Sequence, residues 1–214
     1  MTTHGKPTLR AALESVLGQT RGDFQLLVMA AMQPDGLDDI LADARVEWQL
    51  TGEEPDTHLN TCMVGWSFNE AFRRNAVRGE YVCTFYDDDL YYPNFIAHMA
   101  GYLDSHPEAQ AVWCTEDRMR LTSQGQELVG QIRAADKRTG RNFDCQVDGM
   151  QVMFRREVLN LITQPYLVET MGDCGHSDGV FLTRLGAAGV HFDPIDEALC
   201  VHRHTPWSSF TPSQ

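Results

Sequence analysis

The sequence predicts an α/β fold in which a mostly parallel sheet is flanked by helices. Three observations favour this class: short apolar runs have the length of buried strands, stretches with helical spacing lie between them, and Gly, Pro or Asp residues mark the junctions. Parallel strands need long crossover connections, which are usually helices that cover both faces of the sheet. Ligands of such sheets bind at the carboxyl ends of the strands, so functional residues are expected there.

The first helix is predicted over residues 9–17, where apolar residues recur three and four positions apart between a capping Thr8 and Gly18. The same spacing predicts further helices over residues 37–44, 68–78, 95–103 and 178–185. Short apolar runs predict strands over residues 24–30, 46–50, 81–86, 111–114, 152–154 and 198–202. The polar stretch 122–144 is typical of a hairpin or a mobile loop over the site.

Length and composition indicate one globular domain over residues 1–214, with 43% apolar residues. The longest apolar run, residues 24–32, contains Gln25 and is far shorter than the ~18 residues that suggest a membrane span. The first residues do not resemble a signal peptide. We therefore expect a soluble, cytoplasmic protein without a membrane span.

The chain is acidic, with 17 Lys and Arg against 30 Asp and Glu and a net charge of −13. Non-specific nucleic-acid binding depends on basic side chains that neutralise phosphates, so a nucleic-acid partner is not expected. An anionic substrate would need a metal ion or a few placed arginines. The six cysteines contain no C-x-x-C pair, so neither a zinc knuckle nor a redox motif is indicated, and buried free thiols are expected.

Three consecutive carboxylates, Asp87, Asp88 and Asp89, directly follow the predicted strand 81–86 and are called the acid triad below. Adjacent carboxylates repel one another, and a cation among them relieves the repulsion. Their hard oxygen atoms select Mg²⁺, Mn²⁺ or Ca²⁺. A solvated acidic turn or a helix cap is the alternative, and the position after a buried strand favours the metal.

Two other groups carry possible chemistry. His202 and His204 face the same side if their segment is extended, so that one imidazole could complete an oxygen-rich shell for Mn²⁺, while Arg203 points the other way. Asp178 falls in the first turn of a predicted helix, where the helix dipole keeps a carboxylate ionised, as a general base requires. Surface histidines and a plain helix cap are the alternatives.

Five stretches resemble the family 2 glycosyltransferases of GT-A fold in order and spacing, over nearly the whole chain. They are residues 7–20, 79–89, 106–108, 153–159 and the closing His202-Arg203-His204 with its following serines. The resemblance implies a Rossmann-like GT-A sheet and a sugar transfer with inversion. It also implies a nucleotide-sugar and metal-binding half, residues 1–115, and an acceptor-binding half with a C-terminal lid, residues 116–214.

The resemblance assigns the donor side of the site. Asp87 and Asp89 would be the D-x-D pair that holds Mn²⁺ or Mg²⁺ under the diphosphate of a nucleotide diphosphate sugar, and His204 would be the late metal ligand. The residues that would contact the donor are Thr3, His4, Asp87 and Asp88. A bridging cation suits an acidic protein, because it neutralises the charge that develops on the leaving diphosphate.

The resemblance also assigns the acceptor side. Asp178 would be the catalytic base that deprotonates the acceptor hydroxyl, and Asp148 would be the acceptor-side carboxylate. The sequence departs from the family pattern at three places. The first strand is largely missing, residues 30–33 read Ala-Ala-Met-Gln where the family has an acidic cluster, and Ser177 replaces a Glu.

Three functions remain open from the sequence. The leading hypothesis is a metal-dependent glycosyltransferase that passes a sugar to a hydroxyl acceptor. The alternatives are a degenerate family member that binds carbohydrate or a protein partner without turnover, and a hydrolase of nucleotide sugars that uses the same metal site. The largely missing first strand exposes backbone groups on a neighbouring strand, so we expect either a homodimer that covers this edge or residues upstream of Met1 that supply the strand.

Overall fold

The computed structural model describes residues 1–3, 5–30, 32–33, 35–51, 63–136, 143, 146–162 and 177–204. The α-helices in these ranges are α1 (Leu9–Leu17), α2 (Asp38–Leu41), α3 (Met63–Arg73), α4 (Phe95–Ser105) and α5 (Ser177–Ala187). The strands are β1 (Thr2–Thr3), β2 (Leu26–Ala30), β3 (Val46–Leu50), β4 (Tyr81–Cys83), β5 (Leu90–Tyr91), β6 (Ala111–Thr122), β7 (Gly125–Ile132), β8 (Val152–Arg155) and β9 (Phe192–His204). Two short 3-10 helices, Gly149–Gln151 and Arg156–Leu161, flank β8. The predicted α/β class is confirmed. The sheet was expected to be mostly parallel, but among the described strands three of the seven pairs are parallel, because β5, β7 and β8 pair antiparallel with their neighbours.

The first sheet is parallel and has the order β1-β2-β3. All of β2 pairs with β3, from Leu26 opposite Val46 to Ala30 opposite Leu50. β1 contributes two residues, and Thr2 lies opposite Met29. Every residue of β2 is buried, which is why this strand reads as a continuous apolar run in the sequence.

The second sheet is mixed and has the order β4-β8-β6-β9-β5, with β7 paired to β6 outside this path. β6 and β9 run parallel, whereas β8 pairs antiparallel with β4 and β6, β5 with β9, and β7 with β6. The pairing of β6 with β9 shifts register at Thr115, which indicates a bulge there. This long pair brings the middle of the chain and its last described residues to the same place.

A single bridge joins the two sheets in the described part of the chain. Thr2 pairs in parallel with Tyr86, and the Thr2 amide donates to the Phe85 carbonyl over 3.3 Å. The bridge lies one residue before the acid triad. The amino-terminal segment is thereby fixed against the carboxyl end of β4, where ligand sites of α/β sheets form.

Buried apolar side chains pack on both sides of the second sheet. One large cluster joins α1, α4 and the first sheet, and includes Leu13, Phe95 and Met99. Another packs around α5 and the far side of β6, and includes Trp113 and Phe181. The two layers hold the sheet from both faces, as the alternation of strands and helices predicts.

A cavity of about 350 Å³ lies beside Met1, between residues of β2 and β4. β1, next to this cavity, contains two residues, Thr2 and Thr3. The Met1 ammonium is buried and donates to the Leu27 carbonyl over 2.7 Å. Burial lowers the pKa of this ammonium to about 6.

The structure extends several predicted elements. β6 continues through Thr115, Glu116 and Asp117, all of them buried, although the sequence predicts a strand only over residues 111–114. β5 was not predicted, because its two residues are held by pairing with β9 and not by any local pattern. The predicted hairpin within residues 122–144 is confirmed by the pairing of β6 with β7. Thr8 precedes α1, but its hydroxyl makes no capping hydrogen bond.

Two further sequence expectations bear on the fold. The described helices include none that is both long enough and apolar enough to cross a membrane. Among the described cysteines, Cys83, Cys114 and Cys200 are free thiols, as expected. The remaining three, Cys62, Cys145 and Cys174, lie outside the described residues.

Removing the largest buried side chain of the second sheet should be costly. Trp113 is 1% exposed, and its indole nitrogen donates to the Asp136 carbonyl over 3.2 Å. We expect Trp113→Ala to lower the free energy of unfolding by about 3–5 kcal/mol in urea. Leu128→Ala, at an exposed position of β7, is the control and should change it by no more than ~0.5 kcal/mol. Equal stability of the two variants would contradict this description of the core.

Candidate active site

The acid triad is buried and follows β4, directly after the bridge between the sheets. Asp87, Asp88 and Asp89 are 4%, 6% and 1% exposed. This burial excludes the alternative of a solvated acidic turn. Carboxylates at such depth need cationic or hydrogen-bonding partners, because an isolated buried charge is strongly disfavoured. The partners come from both ends of the chain.

The loop before α1 supplies partners for the first two carboxylates. The Thr3 hydroxyl donates to Asp87 Oδ2 over 2.7 Å. Lys6 Nζ lies 3.2 Å from Asp87 Oδ1 and 2.8 Å from Asp88 Oδ2. Burial alone would lower the pKa of Lys6, but the two carboxylates outweigh it and raise this pKa. Gly5, with a φ of +78°, turns the loop so that its amide donates to the Thr3 hydroxyl.

Arg203 of β9 ties the backbone of the acid triad in place. Arg203 is 4% exposed, and its Nε donates to the Asp88 carbonyl over 2.5 Å. The same side chain reaches the carbonyls of Thr8 and Asp89 at 3.4 and 3.5 Å. The Arg203 amide also donates to Asp89 Oδ1 over 3.2 Å. Arg203 therefore holds the segment that bears the carboxylates against the loop before α1.

The two histidines of β9 lie on the same side of the strand, as predicted, with ring centroids 4.9 Å apart. His202, and not His204, is the one placed against the carboxylates: its Nδ1 is 3.1 Å from Asp89 Oδ1 and 3.8 Å from Asp148 Oδ2. Burial alone would lower the pKa of His202, but Asp89, Asp148 and Glu116 outweigh it and raise the pKa to about 10. His202 is accordingly an imidazolium at neutral pH.

His204 has a different environment. Burial and the neighbouring charge of His202 lower the pKa of His204, which keeps its imidazole neutral. Its Nδ1 is buried and has no hydrogen-bond partner among the described residues. A neutral imidazole with an unpaired nitrogen is the form in which histidine binds a metal. This observation fits the metal role that the family resemblance gives to His204.

The fit of a divalent cation is uneven across the expected ligands. The imidazole of His204 is neutral, and Asp89 is 1% exposed, with one of its oxygens facing His202 and the Arg203 amide. Both oxygens of Asp87, in contrast, already face Thr3 or Lys6. Within the described residues no group of three or more His, Cys, Asp or Glu side chains is assembled for a metal. Asp89 and His204 are thus the residues that suit a cation best.

Asp148 and Asp178, the expected acceptor-side residues, are brought together at the start of a 3-10 helix and of α5. Asp148 caps the 3-10 helix Gly149–Gln151, and its Oδ1 accepts from the Met150 amide. Asp178 lies in the first turn of α5 as predicted. Its Oδ2 accepts from the Gly149 amide over 2.9 Å, and its Oδ1 accepts from the Gly179 amide over 2.8 Å.

The pKa values of Asp148 and Asp178 are both raised. Burial, helped by the negative charge of Asp148, raises the pKa of Asp178 to about 7, although the amides of Gly149 and Gly179 oppose the change. Burial also raises the pKa of Asp148, and the positive charge of His202 opposes it. A carboxylate with a pKa near neutrality is suited to take a proton in a reaction at physiological pH.

Glu116 is a site residue that the sequence reading missed. It lies on β6 with 0% exposure, and its Oε1 accepts from Arg118 Nε over 3.2 Å. Burial, together with the charge of Asp148, raises the pKa of Glu116 well above its ordinary value. Glu116 and Asp117 lie beyond the strand predicted over residues 111–114, and a charged pair gives no local signal that a strand continues buried.

One residue named from the sequence cannot be located in this arrangement. His4, expected to contact the donor, lies outside the described residues. The other expected residues converge. Thr3 lies on β1, the acid triad after β4, Asp148 before β8, Asp178 at the start of α5 and His204 at the end of β9. Segments distant in sequence are thereby combined in one candidate active site.

Replacing Arg203 should destabilise the protein, because it would leave buried carbonyl groups without a donor. We expect Arg203→Met to lower the free energy of unfolding by at least ~2 kcal/mol in urea. Arg203→Lys should recover only part of this loss, since an ammonium cannot reproduce the planar fork that spans the carbonyls. Arg120→Met, at an exposed position of β6, is the matched control. Equal stabilities of the Arg203→Met and Arg120→Met variants would refute the anchoring role.

Comparison with known proteins places this chain in a family. The chain is 29% identical over 214 residues to Protein CgeD of Bacillus subtilis (strain 168), a match that covers 96% of this chain and 49% of CgeD. The chain therefore spans about half the length of this curated relative.

Solved structures share the fold at low sequence identity. S. aureus TarS 1–349 in complex with UDP-GlcNAc superposes with a TM-score of 0.68 at 13% identity, over 95% of this chain and 57% of that one. Glucosyl-3-phosphoglycerate synthase from Mycobacterium tuberculosis, in complex with Mn²⁺ and UDP-glucose, superposes with a TM-score of 0.52 at 13% identity, over 96% and 70% of the two chains. These likenesses bear out the GT-A fold. The sequence model of glycosyl transferase family 2 matches residues 1–161, and the chain belongs to this family.

Proposed function

We propose that this chain transfers a sugar from a nucleotide diphosphate donor to a hydroxyl acceptor, with inversion at the anomeric carbon. The observation that carries the proposal is the meeting of a buried acid triad with Asp178, a carboxylate of pKa about 7, at one edge of the sheet. The family membership supports the same reaction. Sugar transfer needs both a charged partner for the leaving diphosphate and a base for the acceptor.

Thr3, His4, Asp87 and Asp88 are proposed to contact the donor. Thr3 and Asp87 are joined by a hydrogen bond, so a nucleoside that contacts one is held next to the other. The structures of TarS and of the mycobacterial synthase were solved with UDP-GlcNAc and UDP-glucose, respectively. These two uridine diphosphate sugars are accordingly the first donors to test.

A divalent cation, Mn²⁺ or Mg²⁺, is proposed to bind at Asp89 and His204, with Asp87 as a further ligand once Lys6 is displaced. The synthase structure was solved with Mn²⁺, which supports this choice of ion. The cation would neutralise charge on the diphosphate as the bond to the sugar breaks. Lys6, Arg203 and the imidazolium of His202 already offset the carboxylates, so that this acidic region can accept an anionic donor.

Asp178 is proposed to remove the proton from the acceptor hydroxyl, with Asp148 beside it on the acceptor side. Both oxygens of Asp178 accept a backbone amide, which fixes the carboxylate plane and leaves further lone pairs for a hydroxyl. A single base opposite the leaving group gives a direct displacement, and hence inversion. Hydrolysis of the donor would use the same groups with water as acceptor, and product analysis separates the two reactions.

The division into a donor half, residues 1–115, and an acceptor half, residues 116–214, remains part of this proposal. The same holds for a homodimer that covers the edge beside β1, which light scattering of the purified chain would test. A monomer at micromolar concentration would contradict the dimer without affecting the proposed reaction.

The metal assignment is tested on Asp89. We expect calorimetry to find UDP binding to the parent protein strengthened by Mn²⁺, and the Asp89→Ala variant to bind UDP equally with and without the ion. Asp38→Ala, at an exposed position of α2, should behave as the parent. If Asp89→Ala kept the parent's Mn²⁺-dependent affinity, the site would lie elsewhere.

The base assignment is tested on Asp178 with whichever of UDP-GlcNAc and UDP-glucose binds. Asp178→Asn should lower turnover by at least the ~10²-fold typical of a general base and leave UDP affinity unchanged, with Asp38→Asn as control. Because ionised Asp178 is the active form and its pKa is about 7, kcat/KM should rise with pH through about 7 and then level off. Near-normal turnover of the Asp178→Asn variant would move the role to another carboxylate.

The same residue should affect stability with a defined sign. The folded protein raises the pKa of Asp178 from 3.8 to about 7, so between these values it binds more protons than the unfolded chain. The free energy of unfolding therefore falls as pH rises through this window. Asp178→Asn should lose this contribution, and it should gain stability relative to the parent between pH 5 and pH 8. A pH-independent difference in chemical denaturation would contradict the raised pKa.

A further inference from the structure

Gly149 contacts both sides of the candidate active site through its backbone. Its amide donates to Asp178 Oδ2 over 2.9 Å. Its carbonyl accepts a hydrogen bond from the Thr84 hydroxyl over 3.0 Å, and Thr84 belongs to the segment that leads from β4 into the acid triad. One residue therefore connects the proposed base to the strand end that bears the donor-side carboxylates.

The space around Gly149 has no room for a side chain. A Cβ atom built there would lie 2.8 Å from Tyr86 Oη, 3.0 Å from Asp178 Cβ and 3.0 Å from Thr84 Oγ1. Separations this short force a neighbour to move. The backbone of Gly149 does not have a positive φ, so the glycine is required here by the close approach of its neighbours and not by its conformation.

The contact from Gly149 differs from the other contact to Asp178. Gly179 belongs to the same helix as Asp178, so its amide holds Oδ1 wherever α5 moves. The Gly149 amide comes from a different element and holds Oδ2 relative to the rest of the site. Loss of the Gly149 contact would leave the carboxylate attached to its helix but free to turn away from an acceptor.

We propose that Gly149 is a positioning residue: its amide fixes the orientation of Asp178, and its missing side chain sets the distance between that base and the end of β4. The inference rests on the proposed role of Asp178 and adds a determinant outside the carboxylates themselves. A misplacement of about 1 Å at a reacting group can cost ~10²-fold in rate, which is the scale expected from forcing a Cβ atom into this space.

The test compares Gly149→Ala with Gly101→Ala, whose Cβ atom would have no heavy atom within 4 Å. With UDP-GlcNAc or UDP-glucose as donor, we expect Gly149→Ala to lower kcat by ~10²-fold while the KM for the donor and the affinity for UDP stay within about threefold of the parent. Gly101→Ala should match the parent. Parent-like kcat in Gly149→Ala, or a loss confined to donor binding, would overturn the inference.

A rescue separates positioning from general disruption. Tyr86→Phe removes the hydroxyl oxygen that lies nearest to the added Cβ atom, at 2.8 Å. In the double variant Gly149→Ala/Tyr86→Phe, we expect kcat to recover at least ~10-fold relative to Gly149→Ala. No recovery would argue against crowding as the cause and overturn the inference.

A second pair of variants applies if Gly149→Ala fails to fold. Thr84→Val removes the hydroxyl that holds the Gly149 carbonyl at nearly constant volume, and Thr84→Ser keeps it. We expect a loss of about 10-fold in kcat for Thr84→Val, with donor KM unchanged, and near-parent kcat for Thr84→Ser. Equal kcat in both variants would overturn the inference. The Asp178→Asn variant separates a failure of this inference from a failure of the proposed function, because normal turnover of that variant would show that Asp178 is not the base.

Discussion

Burial of the acid triad is the constraint on which the rest of this structure depends. Three carboxylates in succession at under a tenth exposure are stable only where positive charge or hydrogen-bond donors contact them. Lys6 comes from the loop before α1, and the His202 imidazole and the Arg203 amide come from β9. The buried carboxylates in the middle of the chain need these partners, and the two ends of the described chain are therefore held at the same strand end. The bridge from Thr2 to Tyr86 and the long β6–β9 pair supply the geometry.

The arrangement also relates stability to function. Asp178, Asp148 and Glu116 all have raised pKa values, because burial and mutual repulsion disfavour their charged forms. Such carboxylates lower the free energy of unfolding at neutral pH, so they make the folded protein less stable. Proteins keep groups of this kind where a proton must be exchanged near neutrality. The buried apolar clusters on both faces of the second sheet offset this loss of stability.

Local patterns were enough to predict much of the fold. α1 and α4 were predicted because their apolar spacing is complete within one segment. β2 was predicted because its short run is continuously apolar, and β3 because apolar and polar residues alternate along it. β5 and the continuation of β6 through Glu116 were not predictable in this way, since both are fixed by pairing with β9 far along the chain. The site followed the same division. The acid triad and Asp178 are visible as motifs, whereas the contact between His202 and Asp89 and the role of Gly149 depend on long-range packing.

The single bridge between the sheets has a mechanical consequence. In the described part of the chain, Thr2 and Tyr86 form the only backbone pair across this seam, whereas β6 and β9 are joined along ten residue pairs. Fewer backbone pairs therefore connect the two sheets than connect β6 with β9, and the hydrogen bond from Thr3 to Asp87 runs across the same seam. A molecule that contacted both Thr3 and Asp87 would add a further connection between the two sheets and make the domain more rigid. Ligand binding at the site would then reduce the motion of the first sheet, at a distance from the reacting atoms.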